Sequence, residues 1–224
     1  MKKLFCLFMV CLLIVGFSPS KVSAHESEEL AEPSEHNVID IDDVLANPEK
    51  YPSIEMNIVD TKEYIDIIRN NNNLNTEIKN ELIGNALTSS LTRGVVYEYL
   101  TLKDTAVINY GYSCYPYFYC KMEYNSGFST PNRIVNVEYA DIDLNYYGIS
   151  KVFGGNLHYV LKAGNRLYWD LNGHFYNNGE ISISYGGSIG ITGAASTSFT
   201  VSYSSSHYAY KQTTGEYYSS TMQP

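Results

Sequence analysis

The 224-residue chain is poor in charge, cysteine and tryptophan: only 17% of its residues are Asp, Glu, Lys or Arg, and it holds 4 Cys and 1 Trp. It has no basic excess, since 15 Lys and Arg stand against 24 Asp and Glu, for a formal net charge of −9. A phosphate-binding surface needs the opposite balance, so nucleic acid is excluded as an expected partner. Long apolar runs are missing too. The longest, Leu4 to Phe17, has 14 residues, short of the roughly 20 that a membrane-spanning helix needs. It follows Lys2 and Lys3 and leads to Val22-Ser23-Ala24, the layout of a secretory signal peptide cut between Ala24 and His25. Residues 1–24 are therefore set aside from fold reasoning, and the expected product is secreted and extracellular.

Motifs that carry chemistry are scarce as well. His158, His174 and His207 show no zinc-pair spacing, and there is no Gly-x-Ser-x-Gly elbow or phosphate-cradling glycine loop. A triad would have to assemble from distant positions, for example His158 or His174 with Asp170 and a serine. Asp141-Ile-Asp143-Leu-Asn145 copies the first three ligand positions of an EF-hand loop, but Tyr146 and Val152 stand where Gly and Glu are required. No catalytic residue, metal ligand or cofactor is expected. The chain reads as a non-enzyme.

What the chain does hold in quantity is tyrosine, 22 residues, 20 of them after residue 94. Charge divides at the same point. Residues 25–94 carry 15 acidic and 5 basic side chains, whereas residues 95–224 carry 9 and 7. The region 25–59 reads as an acidic flexible segment, interrupted at most by a helical turn over Asp43–Ala46. Residues 60–94 read as a helical hairpin. Asp60 and Glu63 form a capping box ahead of Tyr64, Ile65, Ile67 and Ile68, Asn70–Asn73 breaks that helix, and Asn75 caps a second one carrying Ile78, Leu82 and Ala86. This region either packs on the following domain or is a pro-segment released near Thr92-Arg93-Gly94.

Residues 95–224 show period-two alternation, as in Leu157, Tyr159 and Leu161 or Leu167, Trp169 and Leu171. Turn signals recur at Ala163-Gly164-Asn165, Asn178-Gly179 and Gly186-Gly187, and a phase slip near Ala140 suggests a β-bulge. The fold class is therefore mainly β: a Tyr-rich antiparallel sandwich or barrel preceded by a short helical hairpin. Cys114 and Cys120, in an oxidising compartment, are expected to pair if the chain turns at Pro116. Such a pinned loop would present Tyr115, Tyr117, Phe118 and Tyr119 as a binding surface.

The signal, the acidic stretch, the helix EIKNELIGNAL, the TRG junction and the run GISKVFGGNLHYVLKAGNRLYWDLNGHFYNNG together resemble secreted proteins of Gram-positive bacteria classed as domains of unknown function. The resemblance implies an exported all-β module and transfers no catalytic residue. Taken together, the sequence points to a secreted domain that binds a cell-envelope glycan or an extracellular protein. One alternative is a bacteriocin or pore-forming toxin that inserts the uncharged Ser/Thr-rich strands of residues 180–206 into a membrane. Another is a hydrolase with a dispersed site. The sequence carries no signal for an oligomeric state.

Overall fold

The computed structural model describes residues 38–90, 95–125 and 131–224. The expected signal sequence, the Ala24/His25 junction and the Thr92-Arg93-Gly94 segment lie outside the described residues. The first half of the chain forms β1 (Val38–Asp40), α1 (Ile41–Ala46), β2 (Ile54–Val59), α2 (Thr61–Asn70), α3 (Thr76–Ser90), β3 (Val95–Asp104) and β4 (Ala106–Asn109). Next come β5 (Tyr112–Asn125), β6 (Arg133–Asp143), β7 (Asn145–Tyr146), β8 (Ile149–Ser150) and β9 (Val152–Ala163). The chain ends with β10 (Arg166–Tyr176), β11 (Gly179–Ser184), β12 (Ile189–Gly190), β13 (Ala194–Ser204) and β14 (His207–Tyr218).

The fold is mainly β and sandwich-like, with no closed barrel. Sheet A has the order β1-β14-β10-β9-β13-β11, and sheet B the order β12-β6-β5-β3-β2, with β4 also paired to β5. Alternation decides which side chains enter the core between them. Leu157, Tyr159, Leu161, Leu167, Trp169, Leu171 and Phe175 point in from sheet A, and Leu100, Leu102, Phe118, Met122, Ile134 and Val137 from sheet B. The ring of Phe118 sits 6.3 Å from Tyr159 and 6.4 Å from Trp169, so one aromatic cluster joins both sheets.

The helical hairpin forms as its caps dictate: Asp60 Oδ1 accepts from Glu63 N at 2.8 Å, and Asn75 Oδ1 from Ile78 N at 2.9 Å. It lies on the outer face of sheet B, where Tyr64, Ile65, Ile68, Leu82 and Ala86 share a second buried cluster with Tyr99, Tyr117, Tyr119 and Tyr139. The described residues belong to one compact unit, without a domain boundary at residue 94.

Several expectations are corrected. Residues 38–59 are not a flexible segment: β1 pairs in parallel with β14, and β2 pairs with β3. Their carboxylates do local work, because Asp40 caps α1 and Asp42 accepts Ser219 Oγ, Ser220 N, Thr221 N and Thr221 Oγ1 at 2.9–3.1 Å. The predicted disulfide is absent. Cys114 and Cys120 are free and buried in one unbroken strand, β5, whose length puts them roughly 20 Å apart. Pro116 does not turn the chain. It falls where the neighbouring strand changes from β3, ending at the Lys103↔Tyr117 pair, to β4, starting at Ala106↔Cys114, so no register partner on that side needs its missing N–H.

The turn signals are partly redirected. Gly164-Asn165 joins β9 to β10 as a hairpin. Asn178-Gly179 instead leads from β10 to β11, which sheet A separates by two strands. Gly186-Gly187 carries the chain from β11 in sheet A to β12 in sheet B. The phase slip in β6 lies at Glu138, the residue skipped between Tyr119↔Tyr139 and Cys120↔Val137, with a second slip at Val135.

Candidate functional site

Because β5 is a strand, its aromatic residues divide between two faces. Phe118 enters the main core, while Tyr117 and Tyr119 point outward under the helical hairpin and Tyr115 lies beyond it, 6.1 Å from Tyr146. There Tyr117 and Tyr119 join a tyrosine slab. Tyr119 stacks on Tyr139 at 6.0 Å, Tyr117 lies 5.6 Å from Tyr119, and Tyr64 of α2 stacks on Tyr99 at 3.8 Å and meets Tyr119 edge-on at 5.8 Å. The four expected binding residues are thus not one exposed loop. Phe118 is fully buried, Tyr117 and Tyr119 are 6% and 7% exposed, and Tyr115 is half-buried.

Tyr117 and Tyr119 nonetheless reach solvent through a groove of about 350 Å³ between α2 and strands β2, β3 and β5. Its walls add Asn57, Asn71, Asn73, Glu55, Glu63, Ile67, Lys103 and Asp143. The groove is held open by defined bonds. Asn71 Nδ2 donates to Tyr119 Oη at 2.9 Å, and Asn71 Oδ1 accepts from Asn73 N at 2.9 Å, which fixes the turn after α2 over the phenol. Lys103 Nζ pairs with Asp143 Oδ2 at 2.8 Å and lies 4.5 Å above the Tyr115 ring. Among the described residues neither Glu55 nor Glu63 has a cationic partner.

Beside the groove, the Tyr117 and Tyr139 hydroxyls donate to Asp141 Oδ2 at 3.3 and 3.0 Å, and Ile142 N donates to Asp141 Oδ1 at 2.8 Å. Burial pushes the Asp141 carboxyl up to about 6 despite these bonds. The EF-hand-like stretch is therefore split. Asp141 serves the tyrosines, Asp143 pairs with Lys103, and Asn145 Oδ1 accepts from Gly148 N.

The histidines lie on the outer face of sheet A. His158 Nδ1 is 2.9 Å from Ser196 Oγ, and Asp170 is its cross-strand partner in register, so Asp170, His158 and Ser196 form a row across β10, β9 and β13. Neither the groove nor the smaller cavity beside Tyr185 includes them. His174 Nδ1 and His207 Nε2 are 3.1 Å apart in an exposed cluster with Tyr176 and Tyr210. Among the described residues no group of three or more His, Cys, Asp or Glu converges on a metal-sized point.

Sequence reasoning reached two groove residues, Tyr117 and Tyr119, for a different reason, and missed the amides. The signal was present in Asn70–Asn73, a polar tract read only as a helix breaker. The hydrogen-bond partner of Asn71, Tyr119 on β5, lies 48 residues further on and becomes a neighbour only through the fold. Comparison with protein-family models, with curated proteins and with solved structures returns no match.

Proposed function

We propose that the chain is a secreted, non-catalytic β-domain whose sheet B groove binds a hydroxyl-rich, sugar-like component of the cell envelope. The observation that carries this reading is the groove lining: two phenol edges and three asparagines around a cavity of about 350 Å³, the size of a small-molecule site. Aromatic edges supply contact area with little entropic loss, and amides match the paired donors and acceptors of sugar hydroxyls. Three carboxylates against one ammonium in the lining disfavour anionic polymers, so a neutral glycan is favoured. Secretion rests on the signal layout of residues 1–24.

The test is retention on isolated cell walls, with Asn57→Ala combined with Asn73→Ala. Both side chains are exposed and support no core contact. Retention is expected to fall at least tenfold with an unchanged thermal melt. Equal retention of the double variant contradicts the groove.

A hydrolase is the second reading, favoured by the His158–Ser196 contact with Asp170 in register. It predicts Ser196-dependent labelling by a fluorophosphonate, whereas the binding reading predicts none. In the strands proposed for pore formation, Ile181 and Phe199 turn to the sandwich core, Ile183 and Tyr203 near the strand ends are exposed, and Ser182, Thr200 and Ser202 turn to solvent. A half-buried sheet accounts for that alternation without a membrane.

A further inference from the structure

His174 and His207 stand 33 residues apart in the sequence, and a break in the register of β10 with β14 brings their rings together. The two strands pair one for one from Arg166↔Tyr218 to Phe175↔Ala209, and the next pair is Tyr176↔His207, so Tyr208 is an extra residue in β14. Side chains alternate along a strand, and without that residue His207 would share the inward face of Ala209. The bulge reverses the phase. Tyr208 turns inward against the main core, with its ring 5.8 Å from Tyr112, and His207 turns outward, diagonal to His174 on the neighbouring strand. Re-aiming a side chain in this way is a recurrent use of a bulge beside a functional site.

The outcome is a pair of exposed imidazoles with facing nitrogens. His174 Nδ1 and His207 Nε2 are 3.1 Å apart, with the ring planes at 61°. Aromatic neighbours wall the pair: the Tyr210 ring lies 5.0 Å from His174 and the Tyr176 ring 5.7 Å from His207, and the Tyr210 hydroxyl is tied to Asn172 Oδ1 at 3.0 Å. The lysines of adjoining positions face the other way. Lys211 pairs in register with the buried Gly173, and Lys151 Nζ lies 4.3 Å over the inward Tyr208 ring.

Two imidazole nitrogens 3.1 Å apart, each about 2.0–2.1 Å from one ion, subtend roughly 100° at it, between the square and the tetrahedral angle. In the neutral pair one facing nitrogen donates its hydrogen to the other. For chelation that proton moves through solvent to the outer nitrogen of its own ring, and a small turn of both exposed rings aims the two lone pairs at a common point above the sheet. Among the described residues no third His, Cys, Asp or Glu joins them, so the remaining positions go to water or to an oxygen donor from outside. Imidazole suits copper, nickel and zinc, whereas magnesium and calcium take oxygen ligands.

We propose that His174 and His207 form an open two-histidine site for a divalent late transition metal ion, with copper(II) held ahead of zinc(II) by the general affinity order. The site is on the outer face of sheet A, and the sandwich separates it from the groove on sheet B.

The experiment is titration of copper(II) into residues 33–224 carrying His36→Gln, followed by calorimetry and electron paramagnetic resonance. Residues 33–224 are one compact unit that retains every described contact, and the substitution leaves His158, His174 and His207 as its histidines. One equivalent of copper is expected to bind, with two directly coordinated imidazole nitrogens in the spectrum. His174→Gln and His207→Gln are each expected to weaken binding at least tenfold with an unchanged thermal melt, and to reduce the spectrum to one coordinated imidazole at excess copper. His158→Gln is expected to change nothing, and magnesium to leave bound copper in place. Absence of copper binding overturns the proposal, as does binding unchanged by either substitution, equal loss in His158→Gln, or displacement of copper by magnesium.

Discussion

At the residue scale, environment has replaced the roles that spacing suggested. Cys114 and Cys120 face the sandwich core, where burial pushes both thiols well above their usual range. The expected outcome of a thiol-reagent titration on a chain that starts at His25 is no reaction in the native protein and two thiols in denaturant. A disulfide would leave none in either state. Asp141 is the other residue with a measurable consequence. Its carboxyl titrates at 3.8 when free and at about 6 when folded, because burial favours the neutral form. A raised folded value means that this contribution is fully present below pH 4 and lost as pH rises through about 6, and the difference corresponds to roughly 3 kcal/mol. Thermal melts should therefore show the wild type losing stability across pH 4–6 relative to Asp141→Asn. Parallel curves for the two proteins would show that Asp141 is not buried as described.

At the element scale, the helical hairpin is part of the fold. It buries Tyr99, Tyr117, Tyr119 and Tyr139, while β1 and β2 before it complete both sheets. A chain beginning at Val95 is accordingly expected to aggregate or bind hydrophobic dyes, and a soluble, cooperatively melting product would restore the pro-segment reading. The helices were legible in the sequence because their signals are local: Asp60 and Asn75 cap their own first turns. Strand alternation was legible for the same reason, in β9 and β10. Strand partnership was not. Asn178-Gly179 and Gly186-Gly187 have hairpin chemistry, yet they link strands that do not pair, because neighbours in a sheet are set by long-range packing. Pro116 was read as a corner since its tolerance in β5 depends on the break between β3 and β4 beside it. The groove was half legible: its phenols stood out by composition, and its amides came from elements assigned to another region.

At the scale of the whole molecule, three groups among the tyrosines have different surroundings. Tyr159 and Tyr217 fill the core, where the Tyr217 hydroxyl donates to the buried Asp104. Tyr64, Tyr99, Tyr117, Tyr119 and Tyr139 form the slab, of which Tyr117 and Tyr119 line the groove. Tyr110 and Tyr147 stand free at one end. The central claim rests on the groove. Backbone amide shift mapping with a neutral wall-derived oligosaccharide tests it most directly. Changes are predicted at Asn57, Glu63, Asn71, Asn73, Thr101 and Lys103, with His158, Ser196, Tyr110 and Tyr147 undisturbed. Changes centred on His158 and Ser196, or none at any residue of the groove, would contradict it.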